Sequence, residues 1–158
     1  MSTPNKDVID VLNDLIEYSK DGAKGFRESA DDVKDAQLKT FFKTRAAECE
    51  TAASELQAEV RRLGGDPETS TSVTADLHRG WVNFKSMLTG KDEESVLNEV
   101  ERGEDYALKA YKDAREKLAK HQLTATDPVY SLVERQLQGV QRNHDQVKAL
   151  RDAARARS

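Results

Sequence analysis

Glu104 is the residue whose setting asks for chemistry. It falls in line with Leu97, Val100, Leu108, Tyr111 and Leu118, and at about 100° per residue these side chains share one helical face. A carboxylate within an apolar stripe must pair with a cation, take a proton or bind a metal, because a bare buried charge is too costly. Other apolar stripes carry polar residues of their own: Ser19, Arg45, Cys49, Gln141 and His144. Arg45 stands where an aliphatic residue is expected and supplies a counter-charge. The spacing therefore predicts a core polar network in which Glu104 pairs with Arg45, and His144 or Tyr111 completes its hydrogen bonds. Cys49 beside His144 would make a thiolate–imidazole pair, but a cysteine in mid-stripe reads better as an inert apolar residue. No glycine-rich phosphate loop, paired-cysteine zinc spacing or nucleophile elbow is present.

The elements that must position these residues are helices. The first starts near Thr3-Pro4, a capping residue followed by proline, and its stripe runs Val8, Leu12, Leu15, Ser19, Gly22, Phe26, Ser29, Val33. Asp35 caps a second helix that ends at Leu63, before Gly64-Gly65-Asp66-Pro67. Its stripe is Leu38, Phe42, Arg45, Cys49, Ala52, Leu56. Residues 64–91 form a long connection in which Leu77, Trp81, Phe84 and Leu88 recur at helical spacing. They predict a short amphipathic helix, capped by Thr74, ended by Thr89-Gly90 and anchored by Trp81. A third long helix starts near Asp92 and runs to Lys120-His121. Asp127-Pro128 opens the fourth, with the stripe Val129, Val133, Leu137, Val140, His144, Val147, Arg151, and residues from Ala153 on are expected to fray. Four long helices with a short, a long and a short connection give an all-α, up-down-down-up four-helix bundle, a connectivity that is ferritin-like, with a short extra helix in the crossover. The reading is one domain over 1–158, with its core at about residues 5–152.

In such a bundle a di-metal carboxylate site takes a Glu from each of two helices and a Glu-x-x-His pair from each of the other two. Here the set is incomplete. Glu104 and His144 are the inward candidates, with Glu48 and Glu101 as further ligands for iron or manganese. Glu48-x-x-Thr51 and Gln141-x-x-His144 each lack a ligand, and an inward Arg45 would repel a dication. The expectation is thus no cofactor, with iron or manganese as the alternative. A third reading places a small apolar ligand in the gap left by Ser19, Gly22 and Ala52. Composition narrows the field further. A net charge of −4 argues against nucleic acid or an anionic membrane as partner. Arg151, Arg155 and Arg157 are expected to complement a helix dipole. A single cysteine excludes an internal disulfide and favours a reducing compartment, and with no signal peptide or spanning stretch the expected location is cytoplasmic.

Several local patterns together resemble a known family: Leu12-Asn13, Gly22, Gly25-Phe26, the Leu63-Gly64-Gly65-Asp66-Pro67 stop, His78-Arg79-Gly80-Trp81, Glu101-Arg102-Gly103-Glu104-Asp105 and Asn143-His144-Asp145. It is a family of small bacterial proteins carrying a domain of unknown function and described as ferritin-like four-helix bundles, and the resemblance spans about Asp7 to Asp152. A weaker resemblance to bacterioferritins and rubrerythrins aligns Ser19 with the helix 1 glutamate, Glu48/Thr51 or Cys49/Ala52 with the helix 2 pair, Glu104 with the helix 3 glutamate and Gln141/His144 with the last pair. It implies that two or three ligand positions survive. The expected function is a non-catalytic interaction or stress-related module, with a homodimer through an exposed helical face as candidate assembly and no ligand named. The alternative is a divergent, di-iron-like metal-binding oxidoreductase.

Overall fold

The computed structural model describes residues 3–67, 79–84, 86 and 92–157. Four long helices make the body: α1 (Thr3–Asp32), α2 (Ala36–Arg62), α3 (Glu93–Lys120) and α4 (Pro128–Arg157). Their ends follow from side chains that replace the missing helical hydrogen bonds. Asp35 accepts from the Leu38 amide at 2.9 Å, Asp92 from Ser95 at 2.8 Å and Asp127 from Val129 at 2.8 Å. At the other end of α2, the Gly64 amide donates to Arg61 and the Gly65 amide to Val60, with Gly64 at φ +85°. This Schellman turn returns the chain against α1, where Asn13 Nδ2 donates to the Asp66 carbonyl at 3.3 Å.

α3 closes with the same motif but without glycine. The Gln122 amide donates to Ala119 and the Leu123 amide to Leu118, while Gln122 sits at φ 66°. A left-handed conformation costs a residue with a Cβ about 1–2 kcal/mol. Gln122→Gly should therefore stabilise the fold by about 1 kcal/mol, raising the thermal midpoint by about 2–4 °C in a melt followed by circular dichroism.

α1 packs chiefly on α2 and α3 chiefly on α4, and the two hairpins meet along α1–α3 and α2–α4. Tyr18 stacks on Tyr106 while Val11 approaches Lys117, so α1 and α3 run antiparallel and α3 runs parallel to α2. The bundle is all-α and ferritin-like, with the long crossover predicted from connection lengths. Within that crossover residues 79–84 are helical. Trp81 packs edge-on to Phe26 and Phe84 at centroid distances of 5.0 and 5.4 Å. Arg79 is exposed, whereas Thr74, Leu77, His78, Leu88, Thr89 and Gly90 lie outside the described residues.

The stripes from α1 bury as a line: Val8, Leu12, Leu15, Ser19, Phe26, Ser29 and Val33 are all buried. The core is nevertheless split. One apolar cluster gathers around Leu12, Leu56, Leu118 and Val133, and a second around Phe26, Phe42, Leu97 and Val147. Between them lies a polar layer. The end of α4 departs from expectation: it does not fray but stays helical to Arg157, with Ala154 buried. Arg155 Nε donates to Glu94 at 2.7 Å and Arg157 Nη2 to Glu93 at 2.9 Å. These arginines thus hold the acidic start of α3 rather than serving only the dipole of α4. No helix among the described residues is long and apolar enough to cross a membrane.

Candidate mid-bundle site

Arg45 of α2 and Glu104 of α3 meet in the middle of the bundle. Arg45 Nε donates to Glu104 Oε1 at 2.8 Å and Nη2 to Oε2 at 3.2 Å, a two-point contact matched to the planar guanidinium. Both are buried, at 6% and 2% exposure, so each charge depends on the other. The remaining nitrogen, Nη1, donates to Glu48 Oε1 at 3.2 Å and reaches Cys49 Sγ at 3.9 Å. The guanidinium also lies over the Phe26 ring, 5.1 Å from its centroid. Burial alone pulls the Arg45 guanidinium down, but the charges of Glu104 and Glu48 and the Glu104 hydrogen bonds more than reverse it, and its pKa is raised. The Cys49 thiol moves up, chiefly through burial and against the pull of Arg45, so at neutral pH it is a thiol rather than a nucleophilic thiolate.

Tyr111 and His144 do not complete the Glu104 hydrogen bonds as expected from the sequence. The Tyr111 hydroxyl instead donates to Gln136 Oε1 at 2.8 Å, and Gln136 Nε2 donates to the Ala52 carbonyl at 3.3 Å and to Glu55 at 3.1 Å. His144 turns outward between two carboxylates: Nε2 is 2.5 Å from Asp105 and Nδ1 3.4 Å from Asp145. The thiolate–imidazole pair of Cys49 and His144, the less favoured reading of the sequence, is absent from these contacts. Gln141 lies on the surface side and donates to Asp145 at 3.1 Å. The physical reason is register: His144 sits on the α3-facing flank of α4, where it meets Asp105 rather than the inward Glu104.

One turn of α3 thus sends three acids to three different bases. Glu101 accepts from Arg151 Nη1 at 2.6 Å, Glu104 from Arg45 and Asp105 from the His144 imidazole. The candidate ligand set Glu48, Glu101, Glu104 and His144 is consequently not assembled: two of its members share Arg45, one is held by Arg151 and one by Asp105. Among the described residues no three His, Cys, Asp or Glu side chains converge in a way that would hold a metal ion. A di-metal centre does not fit these residues, because the guanidinium occupies the position between the acids. At Gly22, one wall of the gap suggested for an apolar ligand, a Cβ would lie 3.0 Å from Cys49 Sγ, so the thiol packs directly against that glycine.

Gln136 is the buried member that the stripe did not reveal. Together with Tyr111 it ties α3 to α4 and α2. Burial pushes the Tyr111 phenol up to about 12, a hydrogen bond with Ser19 working the other way. In the unfolded chain this proton leaves near pH ~10, while the fold holds it to higher pH. The stabilisation is complete below that unfolded value and is lost as pH rises through the folded one, at about 1.4 kcal/mol per unit. Tyr111→Phe should cost about 1–3 kcal/mol at neutral pH by stranding Gln136. It should also flatten the alkaline loss of stability, measured as urea midpoints from neutral pH to about pH 11.5.

The family described as Domain of unknown function (DUF2383) matches residues 7–117. No curated protein matches the chain. Several solved structures share its fold, two of them as follows. A protein from Bacillus anthracis str. Ames, described as ferritin like, diiron-carboxylate, superposes with a TM-score of 0.72 at 19% identity, covering 96% of this chain and 99% of its own. A DPS protein from Vibrio cholerae O1, described as a member of a broad superfamily of ferritin-like diiron-carboxylate proteins, gives 0.71 at 16% identity, covering 94% and 91%.

Proposed function

The chain belongs to the DUF2383 family, and we propose that it serves as a non-catalytic interaction or stress-related module, a ferritin-like bundle whose di-metal site has been given over to an ion pair. The observation that carries this reading is the two-point Arg45–Glu104 contact at mid-bundle. A dication beside that guanidinium would meet repulsion in a low-dielectric interior, and the acids that would balance it are already paired. The module works in the cytoplasm, without nucleic acid or membrane, and assembles as a homodimer through an exposed helical face.

Metal analysis of protein purified without chelator, together with a visible absorption spectrum, tests it. Iron and manganese well below one per chain, and no uptake on addition of ferrous ion, are the expected results. Stoichiometric metal that falls on Glu104→Ala or His144→Ala would instead establish the divergent metal-binding oxidoreductase suggested by the diiron-carboxylate descriptions of the fold neighbours.

A further inference from the structure

The seam between α2 and α4 is hydrogen-bonded toward one end and packed through apolar side chains, among them Phe42 and Val147, toward the other. Toward the start of α4, Arg135 and Gln136 hold Glu55, and Gln136 also reaches the Ala52 carbonyl. Farther along, a cleft of about 360 Å³ lies between the two helices. Its walls carry Thr40 and Thr44 from α2 and Asn143 and Gln146 from α4, and its floor is Arg45 with Glu48. The volume lies within the range of about 300–1,000 Å³ common for small-molecule sites.

The floor sets the ligand chemistry. Arg45 brings one cation, while Glu104 and Glu48 bring two carboxylates, so one negative charge is left over. Glu104 is sealed inside. Glu48 is the carboxylate that faces the cleft, with 49% of its side-chain surface in water and one oxygen on Arg45 Nη1. An anion would meet that surplus charge. A metal ion needs several anionic or imidazole ligands, and the cleft offers one free carboxylate edge. The amides and hydroxyls of the walls accept and donate hydrogen bonds without adding charge. We propose that this cleft binds a small organic cation, its ammonium or guanidinium head against Glu48 and its body held by Thr44, Asn143 and Gln146. Arg45, fixed by Glu104, acts here as a positioning residue that holds Glu48 at the cleft floor.

The proposal stands apart from the metal question, since it needs only the folded chain and the Glu48 carboxylate. Its test is a titration of the protein with butylamine, a monocation at neutral pH, followed by backbone amide chemical shifts, with neutral 1-butanol as the matched control. Saturable shifts centred on Thr44, Glu48, Asn143 and Gln146, absent with the alcohol, are the expected result. Glu48→Gln, at a half-exposed position that leaves the core intact, should weaken binding about tenfold or more. Non-saturating shifts scattered over the acidic surface, equal shifts with the alcohol, or unchanged affinity in Glu48→Gln would each overturn it.

Discussion

Arg45→Met and Glu104→Leu should each destabilise the bundle by about 3–5 kcal/mol, while the double variant should fold within about 1 kcal/mol of the parent or above it. The asymmetry comes from desolvation. Each single change strands a charge that is almost wholly buried and cannot recover its lost partner from water. The two-point contact makes the dependence mutual, since Nε and Nη2 are both committed to Glu104. Removing both charges leaves a slot beside Phe26 that Met and Leu can fill, with Glu48 returning to solvent at little cost because half of it is already there. Thermal midpoints should fall by roughly 6–20 °C in the singles and recover in the double, at about 2–4 °C per kcal/mol for a chain of this size. Losses that simply add in the double variant would show that the pair is not the mutual neutralisation described here.

That pair is legible in the sequence because it breaks a pattern twice. An acid in one apolar stripe and a base in another leave few other ways to keep an interior neutral, and both residues sit near the middle of their helices. The caps Asp35 and Asp127, and a helix start near Asp92, are legible for a similar reason: each follows a local rule that needs no knowledge of the neighbouring helix. What the pattern could not carry was register between helices. His144 shares a stripe with Val140 and Val147, yet whether it meets Glu104 or Asp105 depends on how far α4 is shifted and rotated against α3. In the sequence Glu101 reads as a ligand and Arg151 as a dipole partner, each alone, and only packing makes them a pair. Gln136 escaped because it sits beside Leu137, about 100° off the narrow line of apolar residues, and a stripe wide enough to include it would also have admitted many exposed positions.

Gly25→Ala should cost about 2–3 kcal/mol, although alanine is the better helix former by about 1 kcal/mol. A Cβ at this position would lie 2.2–2.4 Å from three atoms of the Trp81 indole, closer than any packed side chain tolerates. The indole cannot give way by a small rotation, because it is set edge-on to Phe26 and Phe84. It must leave, taking with it two ring contacts of about 0.5–1.5 kcal/mol each and the apolar cover over Phe26. Trp81 is the chain's one tryptophan, so its fluorescence reports the event directly: emission should shift to the red and become open to an aqueous quencher. Gly103, also within a helix, has nothing within 4 Å of its would-be Cβ, and Gly103→Ala should stabilise by about 1 kcal/mol through helix propensity alone. The decisive comparison places Gly25→Ala in a Trp81→Ala background. With the indole gone the clash is gone, and the same substitution should change sign and stabilise. A cost that persists there would mean that Gly25 is kept for some reason other than seating Trp81.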